Sequence, residues 1–333
     1  MNQEPIMYSL IAAFPTQIKE AVQISKQSNI NAPNKQIRNV IIVGMGGSGI
    51  GGTILKEIAY GQSSVPMEVV KDYHLPAYCN EHTLLIASSY SGNTEETLAC
   101  VKDAFNKGAC IKVVSSGGEL IEAAQQNNFD FVQIPSGMPP RAGLAYSLVA
   151  LCHVASRCGI IEDFSSQFVS AVEFLEKKQQ DIKTQAVQIA RKIASTSTAI
   201  YACSGFTGVA IRLAQQLHEN AKQHAWVNTF PELNHNELVS WYHEAKGISV
   251  LNIRSAGIYN RNLHRVNFSE KIIKPLSTAY VNLIAEGDTQ LLQLLFVIHL
   301  GDFISWYTSL ENQVDAMDIE VIEALKKSLQ TIR

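Results

Sequence analysis

Two turns rich in glycine and small hydroxyls offer the first chemistry in this chain. "GMGGSG" at 44–49 follows the apolar run "RNVIIV" and leads into "TILKEIAY". "SSYSGNTEET" at 88–97 closes a second apolar run, "TLLIASS" at 83–89. Between them they hold Ser48, Ser89, Ser91 and Thr94 at the starts of expected helices. Backbone N–H groups at a helix N-terminus favour an anion. Hydroxyls beside them can donate to phosphate oxygens, and glycine lets the main chain come close. One phosphate group could be held this way without Lys or Arg. Each motif alone reads first as structure: Thr94 makes a good N-cap followed by Glu95 and Glu96, and Ser89 and Ser91 suit an ordinary turn. Two hydroxyl-rich turns at equivalent ends of one sheet shift the balance to phosphate. Gly44, Gly46 and Gly49 also fit G-x-G-x-x-G, with Asp72 ending the run "PMEVVKD", so an NAD-dependent oxidoreductase is a competing reading. It explains the first turn and leaves the second unexplained. A Walker phosphate loop fails, because no G-K-[ST] follows.

Such turns need a sheet behind them. "NVIIV" at 39–43, "TLLIASS" and "CIKVVSS" at 110–116 each precede a helix-like stretch, and "FVQIP" at 131–135 precedes an apolar helix at 143–157. This alternation predicts βαβ units and a parallel sheet, with ligands beyond the strands' carboxyl ends. Residues 8–28 have helical periodicity, and 162–195, free of Gly and Pro, predict one or two long helices. The second half then begins like the first: "AIYACSGFTGVAI" sits 159 positions after "VIIVGMGGSGIGG", with Gly205 on Gly46, Thr207 on Ser48 and Gly208 on Gly49. Strands at 247–254 and 279–287 and a long helix follow. The expected architecture is α/β: two tandem domains, each a mostly parallel, doubly wound sheet flanked by helices. The expected boundaries are 1–160, a helical linker at 161–195, and 196–333. The second copy loses two glycines of the turn, so the first is the better anion site.

Bulk properties narrow the function. A chain of 333 residues, 46% hydrophobic and 17% charged, can bury full cores without disulfides. Its net charge of −3 argues against nucleic acid. Six scattered cysteines with no C-x-x-C fit free thiols in the cytoplasm. The N-terminus makes a poor signal peptide, and "LLQLLFVIHL", interrupted by Gly301 and Asp302, is too short for a membrane span and reads as a buried helix. The nine histidines show no H-x-x-x-H or H-E-x-x-H pair, so no metal is expected.

"GMGGSG", "SSYSGNTEET", "PPRAGLAYS" and "PELNHNE" together resemble the bifunctional phosphoglucose/phosphomannose isomerases of the sugar isomerase (SIS) domain superfamily. The resemblance spans nearly the whole chain and implies two SIS domains per chain in a homodimer. It implies interconversion of glucose 6-phosphate and mannose 6-phosphate with fructose 6-phosphate, with no cofactor. On it, the phosphate site maps to Ser48, Ser89, Ser91 and Thr94, and the glycine turn to Gly46 and Gly47. The arginine of "PRA" is Arg141, and the catalytic base resembles Glu219 in "LHENAK". The ring-opening histidine resembles His235, reaching the site from the other subunit. A C-terminal helix returns a lysine to the site, Lys326 rather than Lys327 by the pattern of "IEALK", although a proline expected before it is missing.

Aldose–ketose isomerisation moves a proton between C2 and C1 through a cis-enediol. A carboxylate can serve both carbons, and a cation near O1 and O2 steadies the enediolate. Without the resemblance, Glu219 reads as part of a solvated helix face, Arg141 as a surface or helix-start contact, and Lys326 as a solvated charge. In "NHNE", Asn234 reads as an N-cap with Glu237 as its reciprocal partner, which leaves Glu232 as the second choice of base. The apolar helices at 143–157 and 289–310 are candidates for a dimer interface. A non-catalytic phosphosugar-binding module is the remaining alternative. Only about 38 residues precede the first strand, too few for the DNA-binding domain such regulators usually have.

Overall fold

Apolar runs without polar alternation must bury both faces of a sheet. In β1 (Asn39–Val43), Val40 and Ile42 join one core while Ile41 and Val43 join another. The computed structural model describes residues 5–329 and 331. The chain begins with α1 (Ile6–Ala12) and α2 (Phe14–Gln27), two helices rather than one, because the chain bends at Ala13 and Pro15 opens the second. The first sheet adds β2 (Met67–Val70), β3 (Thr83–Ser89), β4 (Cys110–Ser115) and β5 (Asp130–Gln133) in the order β2-β1-β3-β4-β5, every pair parallel. Its crossover helices are α3 (Gly46–Ala59), α4 (Glu95–Asn106) and α5 (Gly118–Gln126), and α6 (Leu144–Arg157) comes next.

A single 29-residue helix, α7 (Ser165–Ile193), leads to the second sheet. There β6 (Ser197–Cys203), β7 (Ala225–Phe230), β8 (Ala245–Arg254) and β9 (Ser277–Ile284) run parallel in the order β7-β6-β8-β9. Its helices are α8 (Thr207–Ala221), α9 (Asn260–Ile273) and α10 (Gln290–Glu311), and α11 (Glu320–Leu329) is the last helix.

The layers explain how distant residues meet. One continuous core joins the inner faces of both sheets through α2, α3, α6, α7, α8 and α10. On the outside, α4 and α5 cover the first sheet, while α9 and the segment after β7 cover the second. The helices α3 and α8, which come after the two equivalent turns, pack against each other in the middle layer. Both apolar helices expected at an interface, α6 and α10, lie within this core of one chain instead. An all-round apolar surface signals burial without naming the partner that provides it. The helix α10 is 22 residues long, enough by length and composition to cross a membrane, yet 89% of its most apolar window is buried inside the fold.

Candidate active site

The first turn leaves β1 at Gly44, and the second leaves β3, the strand beside it, at Ser89. This is the point where the strand order of the first sheet reverses, so the two turns open onto one crevice. They are tied together: Ser48 Oγ accepts the backbone N–H of Tyr90 at 2.9 Å. That leaves the Ser48 hydroxyl proton free to donate. Ser89 Oγ accepts from Gly92 N at 3.1 Å and pairs with Thr94 Oγ1 at 2.8 Å. Ser91 Oγ accepts from Asn93 N at 3.3 Å. Thr94 is the N-cap residue of α4, but its side chain makes no capping bond, so the expected cap is replaced by the pairing with Ser89. No side chain caps α3 either.

Gly47 faces the "PRA" segment, which forms a short 3-10 turn at Pro140–Ala142. A Cβ at Gly47 would lie 3.1 Å from Arg141 N and from the carbonyl of Pro140, so only glycine fits without displacing that turn. Arg141 is 3% exposed, against the surface position read from sequence. Its Nε donates to Asn220 Oδ1 at 2.8 Å and its Nη2 to Ala316 O at 2.7 Å. Its Nη1 lies 3.4 Å from Glu219 Oε2. Burial pulls the Arg141 pKa down, and Glu219 and Asp315 oppose that shift. Glu219 therefore stands on the face of α8 turned to the first domain, with its side chain 27% exposed, and not on a solvated face.

Behind the guanidinium is a buried network that sequence reasoning missed. Arg212 Nη2 donates to the carbonyl of Arg141 at 2.9 Å and to Asp302 Oδ2 at 2.7 Å, and Gln216 Nε2 donates to Asp302 Oδ1 at 2.8 Å. Asn220 passes its other hydrogen bond to Ser305 Oγ at 3.0 Å. The available signal was Asp302, a carboxylate inside an otherwise apolar helix, which requires a buried partner. Tyr90 was missed too. It is buried, its ring lies against Gly143, and its hydroxyl accepts from Met138 N at 3.2 Å.

His235 is exposed, on a 3-10 turn Glu232–His235 after β7. Lys326 is on α11, which has no buried residue. Among the described residues, neither makes a side-chain hydrogen bond to Glu219 or Arg141. The cap in "NHNE" is Asn236, whose Oδ1 accepts from Glu237 N at 2.6 Å, and not Asn234, which donates to Ser269 Oγ. Glu237 is structural for a different reason than reciprocal capping. It accepts from Tyr201 at 2.6 Å, Trp226 at 2.9 Å and Asn228 at 2.7 Å. Glu232, the second choice of base, is exposed and accepts from Asn236 at 2.7 Å.

The arrangement places two linked hydroxyl-bearing turns, a buried cation and a partly exposed carboxylate along one seam. Such a set can anchor a phosphate at one end and exchange a proton beside a fixed positive charge at the other.

The family description "bacterial phospho-glucose isomerase C-terminal SIS domain" matches residues 182–329. A bifunctional phosphoglucose/phosphomannose isomerase of Caldicellulosiruptor bescii is 35% identical over 98% of this chain and 100% of its own length. One from Thermoplasma acidophilum is 32% identical over 87% of this chain and 89% of its own. Among solved structures, tagatose-6-phosphate ketose/aldose isomerase from Escherichia coli superimposes with a TM-score of 0.72 at 14% identity, covering 94% of this chain and 95% of that one. The C-terminal domain of glucosamine-fructose-6-phosphate aminotransferase from Francisella tularensis does so with 0.74 at 14% identity, covering 95% and 98%.

Proposed function

The chain belongs to the bifunctional phosphoglucose/phosphomannose isomerase family and is a sugar-phosphate isomerase; from that premise we propose that it interconverts glucose 6-phosphate and mannose 6-phosphate with fructose 6-phosphate through a cis-enediol, in the cytoplasm and without a metal. The observation that carries this reading is the Glu219–Arg141 pair at 3.4 Å, seated against the Gly47 turn.

The substrate phosphate lies in the crevice of Ser48, Ser89, Ser91 and Thr94, at the open N-termini of α3 and α4. Glu219 takes the C2 proton of the open aldose and returns it to C1, while a proton passes from O2 to O1. One carboxylate serves both carbons because its two oxygens face them in turn. Arg141, held by Asn220 and Ala316, stays a cation and steadies the enediolate oxygens. Before this the sugar ring opens, with His235 and Lys326 as acid and base. His235 comes from a second copy of the chain in a homodimer. Its exposure supports this, as does the bare apolar side of α11, where Val321 is 85% and Leu325 59% exposed.

The direct test supplies fructose 6-phosphate with EDTA and no nucleotide. Both aldose 6-phosphates should form, and absence of aldose product overturns the reading; a nicotinamide-dependent absorbance change would instead favour an oxidoreductase. The shared site has its own test. Chains carrying Glu219→Gln and chains carrying His235→Ala should each be inactive alone and recover part of the activity when mixed. No recovery in verified heterodimers rules out His235 acting across the interface.

A further inference from the structure

Lys222 ends α8 in a conformation that lysine does not favour. Its φ of 51° and ψ of 36° are left-handed, a position that glycine or asparagine ordinarily fills at a helix end. The far end of its side chain offers a reason for lysine. The ammonium donates to three main-chain carbonyls, Glu219 O at 2.7 Å, Asp315 O at 2.6 Å and Asp318 O at 2.7 Å. Three donors meet three acceptors, which satisfies the group completely.

Two of those carbonyls belong to the segment between α10 and α11. A third carbonyl of the same segment, Ala316 O, accepts from Arg141. The segment is thus tied through its backbone to Arg141 directly and, by way of Lys222, to the turn of α8 that carries Glu219. Past this point the chain has little other support: α11 starts at Glu320 and buries no residue. Lys326 lies eight residues beyond Asp318, a reach of about 12 Å along a helix. The direction in which α11 leaves is set where the segment is clamped.

We propose that Lys222 is a positioning residue for ring opening: it fastens the 315–318 segment to the turn of α8 that carries Glu219, and so aims α11 and Lys326 at the substrate. This rests on the isomerase reading. It separates two steps, because proton transfer by Glu219 needs no help from α11 once the sugar is open.

Two variants and two substrates test it. Lys222→Gly suits the left-handed backbone and removes the clamp, while Lys222→Met keeps the stem and removes the donors. Fructose 6-phosphate requires ring opening. Its 5-deoxy analogue lacks the hydroxyl that closes the ring and requires only proton transfer. Both variants should lose about 10- to 100-fold in kcat on fructose 6-phosphate, stay within about threefold of the parent on the 5-deoxy analogue, and show faster amide hydrogen exchange across 313–322. Equal losses on both substrates, an unchanged rate on fructose 6-phosphate, or unchanged exchange would each overturn the proposal. If the parent itself fails on fructose 6-phosphate, the isomerase reading fails instead, and the exchange measurement still decides whether Lys222 holds the segment.

Discussion

The turn after β1 and the turn after β6 are the same unit used for opposite ends. Offset by 159 positions, "VGMGGSG" and "ACSGFTG" align residue for residue. Gly47 leaves room for the main chain of Arg141, whereas its counterpart is the bulky Phe206, buried in the core at 5% exposure. Ser48 turns its hydroxyl towards the neighbouring turn and takes the N–H of Tyr90. At its counterpart Thr207, the helix N-terminus is already occupied: Thr207 N and Gly208 N donate to the two oxygens of Glu57 at 2.8 and 2.9 Å. Glu57 comes from α3, so the first domain supplies the anion that the second domain's helix start attracts. Burial pushes the Glu57 carboxyl pKa up, and its bonds to Gly208 and Thr207 hold it down. The backbone dipole is common to both turns. An internal carboxylate within reach separates the second turn, closed at the domain seam, from the first, whose helix start no side chain caps.

The largest test of that contrast compares the same position in both copies. Ser48→Ala removes the hydroxyl proposed to donate to the substrate phosphate and leaves the buried N–H of Tyr90 without its acceptor. By the usual worth of a hydrogen bond to a charged group, kcat/KM for fructose 6-phosphate should fall about 10- to 100-fold. Thr207→Ala removes the matching hydroxyl beside Glu57, and kcat/KM should stay within about twofold. Initial rates across substrate concentration measure both. Comparable losses in the two variants would mean that the second turn also takes part in substrate binding.

Much of the first domain was legible because its signals are local. β1, β3 and β4 are buried on both faces and read as continuous apolar runs, and the turns that close them carry their own hydroxyls. The second domain was harder. β7 is an edge strand, only partly buried at five of its six positions, and its polar Asn228 and Thr229 hide the strand pattern. In α9, Val266, Ser269 and Ile273 are buried and the remaining positions are largely polar, so its helical stripe is faint. The site itself resisted for a different reason. Arg141 is held by Asn220 and Ala316, 79 and 175 positions away, and no local pattern announces such partners. Residue types supplied the turns, a resemblance supplied Glu219, and the packing of α3 on α8 is what brings them together.

The smaller test removes the carboxylate that closes the second turn. Glu57→Ala leaves the first amides of α8, partly buried at the seam, without an acceptor, at a cost of up to about 1–3 kcal/mol for each such group. Relief of the buried carboxylate's own desolvation offsets part of this, so the net loss should be about 2 kcal/mol, read as a Tm several degrees lower. Turnover should change little, because Glu57 touches the second turn and not the first. Inorganic phosphate then sharpens the comparison. It should bind the first crevice in parent and variant alike, raising both Tm values by mass action. Only in the variant is the second helix start also vacant, so the rise in Tm with phosphate should be larger there. An equal rise in both proteins would show that Phe206 and the lost glycines had already abolished anion affinity, and that Glu57 fastens the domains without guarding a latent site. An unchanged Tm in Glu57→Ala would go further and show that the carboxylate has no part in joining the two halves.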